Sequence, residues 1–270
     1  MKGEFHAPDL FHEFFPGFVD GNGEAHNLWL SDFAGGLFAL DRLMFVRLLC
    51  VVAIIVFFVL AMRNPKKVPG KFQSMAEMLL DFVRIHIAED ILGKKEGRRF
   101  LPLITTIFML ALFMNLPSVI PFLNISPNAR IGMPLVMALM GYIAMIYAGA
   151  KRYGFFKFLK SSVVVPNIPW FLHILVVPIE FFSTFILRPA TLAIRLMANM
   201  LSGHLILVLL FSATNFFFWQ FNGWMAVSGL TLIAAVAFTL FELLVIFLQA
   251  YIFALLTAVY IELSLHADEH

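Results

Sequence analysis

The chain has 270 residues, of which 61% are hydrophobic and only 13% are charged, whereas soluble domains carry about 25% charged residues. This composition excludes a soluble enzyme and a disordered chain, and it favours a polytopic membrane protein. The single cysteine, Cys50, excludes an intramolecular disulfide framework and a cysteine-rich metal site.

The first 27 residues contain no long apolar stretch, and acidic residues are spread through them. A cleavable signal peptide is not expected there, because such a peptide needs an apolar core of about 7–15 residues. We expect residues 1–42 to form an extracytoplasmic arm. A membrane-crossing helix needs about 20 apolar residues, and the first such stretch is 43–62, interrupted only by Arg47.

A segment of mixed polarity follows at residues 72–92. Its apolar side chains recur at helical spacing among acidic and basic ones, which is typical of a helix lying on the membrane surface. Four basic residues are predicted to lie in the loop after it: Lys94, Lys95, Arg98 and Arg99. The second and third crossing helices are expected at residues 100–121 and 131–150.

Two later apolar stretches, residues 170–218 and 224–265, are far longer than one span requires. The second, as a single helix, would measure about 63 Å, against a hydrocarbon layer of about 30 Å. Each stretch could be two short spans joined by a turn, or one long and steeply tilted helix. A buried turn should show polar or Gly/Pro clusters, and the second stretch offers only Gly229 and the lone charge of Glu242. We therefore favour two long, strongly tilted helices that form a hairpin.

The basic residues predict the orientation of the chain. Thirteen of the 19 Lys and Arg residues fall in residues 63–99 and 151–160, and cytoplasmic loops carry the excess of such residues. Five crossings then place the N-terminus outside and the tail, residues 266–270, in the cytoplasm. The predicted fold is an all-α polytopic membrane protein with one membrane domain over residues 43–265.

Ionisable residues inside the membrane are candidates for function. Six fall within the last two predicted helices: His173, Glu180, Arg188, Arg195, His204 and Glu242. A charge at the bilayer centre costs about 2.5–3.5 kcal/mol, and arginine cannot avoid this cost by losing its proton. A structural ion pair between helices is one explanation, and a functional site is the other. We interpret His173, near an interface, as a packing residue.

Helical periodicity divides these residues by face. Arg195 and Asn199 share one face at i, i+4, and Glu242 and Gln249 share one face at i, i+7. His204 lies on the opposite side of its helix from Arg195, where it could face Glu242. Histidine and glutamate can exchange protons near neutral pH, whereas arginine can only hold an anion. The pattern therefore favours proton transfer over a structural ion pair.

Several sequence motifs stand in a fixed order along the chain. They are VPGKFQ at 68–73, MNL at 114–116, Arg188-Pro189, AIRLMANMLSGH at 193–204, and LQAYIF at 248–253 with Tyr260 downstream. Together they resemble the signature of subunit a of the F-type ATP synthases, over nearly all of the chain from residue 63.

The resemblance implies roles for individual residues. Arg195 matches the arginine that faces the rotor ring of c subunits, Asn199 the polar residue one turn on, and Gln249 the glutamine opposite. The acid and histidine of the proton-entry half-channel correspond to Glu242 and His204. They stand in the swapped arrangement of mitochondrial and some bacterial members.

Weaker matches concern the two half-channels. Asn115 matches an entry-side residue, although it could also hydrogen-bond backbone groups freed by Pro117. Glu180 and Ser183 resemble residues of the cytoplasmic half-channel, with Arg188 nearby. The spacing from Glu180 to Arg188 is one residue longer than usual in the family.

The resemblance implies a proton-translocating stator that is not catalytic on its own, in a bacterial cell membrane. The partners it implies are the c-subunit ring, b-type peripheral stalk subunits, the rest of the ATP synthase and the lipid bilayer. No nucleic acid, cofactor or metal is expected. Two other classes stay open: a secondary transporter, which would need an internal repeat, and a structural membrane subunit without transport.

Overall fold

The computed structural model describes residues 42–63, 69–120, 127–129, 131–158, 170–219 and 225–266. The predictions for the arm over residues 1–41 and for most of the tail, residues 267–270, lie outside the described residues. Within the described residues the structure is helical almost throughout and has no β-strand. Five helical stretches are long and apolar enough to cross a membrane, so the all-α polytopic prediction is confirmed.

Seven α-helices follow one another in the residues that the structure describes. They are α1 Arg42–Met62, α2 Lys71–Val83, α3 Asp90–Asn115, α4 Gly132–Tyr153, α5 Trp170–Phe182, α6 Arg188–Phe218 and α7 Met225–Leu265. Two π-helical segments join neighbouring helices, Arg84–Glu89 between α2 and α3 and Ser183–Leu187 between α5 and α6. The 3-10 turns are Leu116–Ser118 and Pro127–Ala129.

The loop predicted at residues 94–99 is wrong, because these residues lie in helix α3. The helical stretch is interrupted one residue earlier, at Gly93, whose φ of +71° is a conformation that glycine adopts readily. Lys, Arg and Glu are good helix formers, so the helix resumes at once. It ends at Asn115 rather than at residue 121, since Pro117 cannot donate a helical hydrogen bond.

Helix α7 runs without interruption through 41 residues, which corresponds to about 62 Å. Two short spans joined by a turn are therefore excluded for this stretch. A helix twice as long as the hydrocarbon layer is thick fits a bilayer only if it tilts or extends beyond the bilayer. Its tilt in the membrane stays a prediction.

The chain divides into two compact units, and four of the α-helices contribute residues to both. The first unit comprises Met1–Ala53, Leu112–Arg130 and Met197–Leu248. The second comprises Ile54–Ala111, Ile131–Leu196 and Gln249–His270.

In the first unit, α6 and α7 pack as antiparallel neighbours. Near the end of α6, the Thr214 hydroxyl lies 3.0 Å from the Thr231 hydroxyl, and Ser228 Oγ donates to the Thr214 carbonyl oxygen at 3.0 Å. Three turns earlier in α6, Gly203 lies against Glu242 of α7. Residues earlier in α6 therefore contact residues later in α7, which is the pairing expected of an antiparallel hairpin.

In the second unit, α4 packs against the C-terminal part of α7 through small and hydroxyl-bearing residues. Ser264 Oγ donates to the Met145 carbonyl oxygen at 2.8 Å, and the Tyr153 hydroxyl donates to the Leu265 carbonyl oxygen at 2.8 Å. Small residues at such contacts let helix backbones approach closely within a membrane.

Gly149 of α4 marks the tightest of these contacts, and its replacement by alanine should destabilise the chain. A Cβ atom there would lie 2.5 Å from Ser264 Oγ and closer still to the Phe158 ring. Overpacking of this kind costs about 1–3 kcal/mol. We expect a lower thermal unfolding midpoint in detergent for Gly149→Ala, measured beside Gly132→Ala in the same helix, where a Cβ meets nothing within 4 Å. Equal midpoints for the two variants would contradict the predicted contact.

Candidate functional site

Glu242 is a buried acid in the first unit. It lies in the middle of α7 and is 2% exposed. Its carboxylate occupies the space that a side chain on Gly203 of α6 would need, since a Cβ there would lie 2.5 Å from the carboxyl carbon. Within the part of the chain that the structure describes, Glu242 Oε1 has no hydrogen-bond partner. Burying such an atom is costly, which is typical of an acid retained for function.

His204 follows Gly203 directly and is also buried, with 5% of its surface exposed. The structure therefore places the predicted acid and histidine in one unit. Glu242 packs against the residue next to His204. That the two side chains exchange a proton stays a prediction.

Arg195 lies in the second unit, one helical turn before the predicted Asn199, and its side chain is exposed. Helix α6 continues for 23 residues beyond it, about 35 Å. In the described parts of the chain, no carboxylate forms an ion pair with Arg195. A permanently charged side chain on a membrane-length helix needs a polar or anionic partner. The described residues therefore leave the charge of Arg195 without a carboxylate partner.

Gln249 belongs to the same unit as Arg195 and is 5% exposed. Its Nε2 atom lacks a hydrogen-bond partner among the described residues. Asn199, which belongs to the first unit, is partly buried in α6. The amides of Gln249 and Asn199 offer hydrogen bonds, but no charge, in apolar helices.

A second polar cluster of the first unit surrounds Asn115, which is fully buried at the end of α3. Its Oδ1 accepts a hydrogen bond from Asn128 Nδ2 at 2.6 Å, and its carbonyl oxygen accepts one from Ser118 Oγ at 2.7 Å. Arg47 of α1 donates from Nη2 to the Pro127 carbonyl oxygen at 3.2 Å. Asn115 is therefore part of a side-chain network.

Asn128 and Arg47 were not among the predicted site residues. An asparagine beside a proline in a short loop is ordinary turn chemistry, so the sequence carries no signal that Asn128 folds back onto Asn115. Arg47 stands out in an apolar stretch, and this was a signal that could have been used.

In the second unit, Glu180 and Arg188 form an ion pair, with 3.7 Å between Oε1 and Nη2. Thr184 Oγ1 donates to the same Glu180 oxygen at 3.2 Å. The Arg188 guanidinium lies 5.7 Å from the centre of the Tyr260 ring. Ser183 begins the π-helical segment and is partly exposed. Of these five residues, Thr184 and Tyr260 were not among the predicted site residues. Tyr260 was noted only as part of a motif, and one buried threonine has no distinctive sequence pattern.

In the described part of the chain, no three His, Cys, Asp or Glu residues come together as a group that could hold a metal ion.

The candidate residues form two groups with different chemistry. The first unit holds a buried acid, a histidine and the Asn115 network. The second holds an exposed arginine and an arginine–glutamate pair.

The sequence profile of one protein family, described as ATP synthase A chain, matches residues 44–262. The chain belongs to this family. It is 62% identical to ATP synthase subunit a of Rhodococcus erythropolis over 268 residues, covering 99% of this chain and 93% of the relative. It is 39% identical to that of Pseudarthrobacter chlorophenolicus, covering 85% and 86%. It is 32% identical to that of a Nocardioides species, covering 100% and 96%.

Membership in the ATP synthase subunit a family confirms the predicted resemblance. The chain is a subunit of F-type ATP synthase, the proton-translocating stator subunit. The five membrane-length helices agree with a multi-pass subunit of its membrane sector.

Proposed function

We propose that this subunit provides two aqueous half-channels beside a ring of c subunits, and that Arg195 faces this ring. The observation that carries the proposal is the exposed Arg195 side chain on a membrane-length helix with no carboxylate of the described chain paired to it. A carboxylate on a neighbouring subunit would satisfy this charge. A ring that presents one such carboxylate per subunit would bring a new one to Arg195 at each step of rotation.

Arg195 separates proton release from proton uptake. A ring carboxyl group arrives protonated from the lipid, and the nearby cation favours its ionised form, so its proton leaves. The fixed positive charge also repels protons that would cross directly between the half-channels. Each proton that crosses 100 mV releases about 2.3 kcal/mol, which turns the ring. Gln249 and Asn199 supply hydrogen bonds near the arginine.

We assign the entry half-channel to His204, Glu242 and Asn115. A buried acid and a buried histidine suit proton relay because a carboxyl group and an imidazole can each bind and release a proton. We assign the cytoplasmic half-channel to Glu180, Ser183 and Arg188. Protons from the entry side would reach the ring, and protons from the ring would leave past Glu180.

The subunit is not catalytic on its own in this account. ATP forms at a distant head of the complex, driven by the rotating ring, while b-type peripheral stalk subunits hold this chain against rotation. The excess of Lys and Arg in residues 63–99 and 151–160 supports an orientation with the N-terminus outside and the C-terminus in the cytoplasm of a bacterial cell.

Reconstitution with and without the c-ring tests this function. Vesicles that contain this chain alone should show no proton flux above that of empty vesicles under an imposed potential, measured with an internal pH-sensitive dye. Vesicles that contain the chain, the b-type subunits and the c-ring should conduct protons. Equal flux in both preparations would contradict the stator function and favour a self-contained transporter.

A further inference from the structure

The π-helical segment Ser183–Leu187 lies between the two members of the Glu180–Arg188 pair. These residues are eight positions apart, which on a regular α-helix at about 100° per residue leaves them about 80° apart around the axis. A π-helical turn accommodates one extra residue. The separation then corresponds to seven helical steps, about 20° from exact alignment. The segment therefore brings Arg188 onto the face of Glu180.

The other π-helical segment in the described residues does the same for a second pair. Arg84 and Glu89 stand at the two ends of the segment Arg84–Glu89, and Arg84 Nε lies 2.8 Å from Glu89 Oε1. On a regular α-helix, five positions would leave these side chains about 140° apart. Alignment of an arginine with a glutamate across an extra residue thus occurs twice in the described structure.

Arg188 is held from two sides. Its guanidinium contacts the Glu180 carboxylate at 3.7 Å and lies 5.7 Å from the centre of the Tyr260 ring on α7. Arg188 and Tyr260 line a cleft together with Tyr142 of α4 and Thr257 of α7. Both charged side chains keep about a third of their surface exposed, so the pair is not sealed within the chain. Thr184, inside the π-helical segment, holds the same Glu180 oxygen.

We propose that Arg188, which lines this cleft, is a positioning residue that holds the Glu180 carboxylate for proton exit, and that the π-helical segment Ser183–Leu187 sets the register this requires. The proposal rests on the proposed function, which places Glu180 on the path by which protons leave the ring. It goes further because it assigns Arg188 a function and explains the extra residue between Glu180 and Arg188. Removing the guanidinium would free the Glu180 carboxylate to turn away from position 188.

The first test replaces Arg188 in the intact complex. In inverted membrane vesicles, ATP-driven proton uptake is followed by quenching of a pH-sensitive dye, and the amount of assembled complex is measured by immunoblot. We expect Arg188→Gln to lower the initial rate at least fivefold at an unchanged amount of complex. The conservative variant Arg188→Lys should stay within twofold of the parent. Equal rates for the glutamine variant and the parent, or equal losses in both variants, would overturn the positioning function.

The second test removes one residue from the π-helical segment. Deletion of Ile186, which is 47% exposed, should convert the segment into a regular α-helix and leave Glu180 and Arg188 seven positions apart and still aligned. We expect at least half of the parental pumping rate. The control deletes Ile194, which is 48% exposed but lies in regular α-helix. A deletion there rotates the part of the helix before it by about 100° around the helix axis relative to the part after it. Loss of pumping in both deletions, or in neither, would overturn the register function.

Arg195→Ala, measured in the same vesicles, distinguishes a failure of the proposed function from a failure of the positioning function of Arg188. If Arg195→Ala pumps like the parent, the proposed function is wrong. If Arg195→Ala is inactive while Arg188→Gln pumps like the parent, only the positioning function of Arg188 is wrong.

Discussion

Replacing Arg195 with alanine is expected to abolish ATP-driven proton pumping while the complex still assembles. The side chain is exposed, so its removal leaves no cavity in the chain and should cost little stability. Without the cation, the ring carboxyl group has no reason to release its proton beside this helix. The measurement is dye quenching in inverted vesicles, with a fall of at least a hundredfold to the level of membranes that lack the complex.

Two controls sharpen this prediction. Ile194→Ala removes an exposed apolar neighbour and should leave pumping within twofold of the parent. Arg195→Lys keeps a positive charge but loses the planar fork of donors, so we expect a large but smaller loss. If Arg195→Ala pumps at the parental rate, the proposed function of Arg195 is wrong.

Replacing Gly203 with alanine should produce the second largest effect, because the new methyl group competes with the Glu242 carboxylate. The Cβ would lie 2.5 Å from the carboxyl carbon, far inside van der Waals contact, so Glu242 must move. We expect at least a tenfold lower pumping rate. Gly229→Ala is the matched control in the same unit, since a Cβ there meets nothing within 4 Å.

A compensating change tests whether the contact with Glu242 is the cause. Glu242→Asp shortens the acid by one methylene, which makes room for the methyl group of Gly203→Ala and keeps a carboxyl group in place. The double variant should therefore pump several times faster than Gly203→Ala alone. If the double variant is no better, the loss arises from something other than this contact.

The fold was largely predictable because apolar length decides it. Stretches of 20 and more apolar residues must cross the membrane as helices, and the absence of polar or Gly/Pro clusters predicted that α7 is unbroken. The sequence does not predict the helical state of residues 94–99, because a cluster of charged residues between apolar stretches is typical of a loop. Their intrinsic helix preference outweighs this pattern once Gly93 has changed the chain direction.

The candidate site was predictable where it depends on residue type and missed where it depends on packing. Arg195 and Glu242 stand out because charge is rare in these helices. The extra residue between Glu180 and Arg188 was visible in the sequence, but its structural consequence was not. Whether an extra residue becomes a bulge or rotates the helix depends on which contacts the neighbouring helices favour. The Asn115–Asn128 pair likewise exists only because a distant turn packs against the end of α3.

Passive proton conductance in vesicles stripped of the catalytic head tests the central claim most directly. If Arg195 both drives proton release from the ring and keeps the two half-channels apart, Arg195→Ala vesicles should conduct protons under an imposed potential, although the intact complex no longer pumps. Conductance equal to that of vesicles lacking the complex would contradict the claim, because it would leave no barrier function for Arg195.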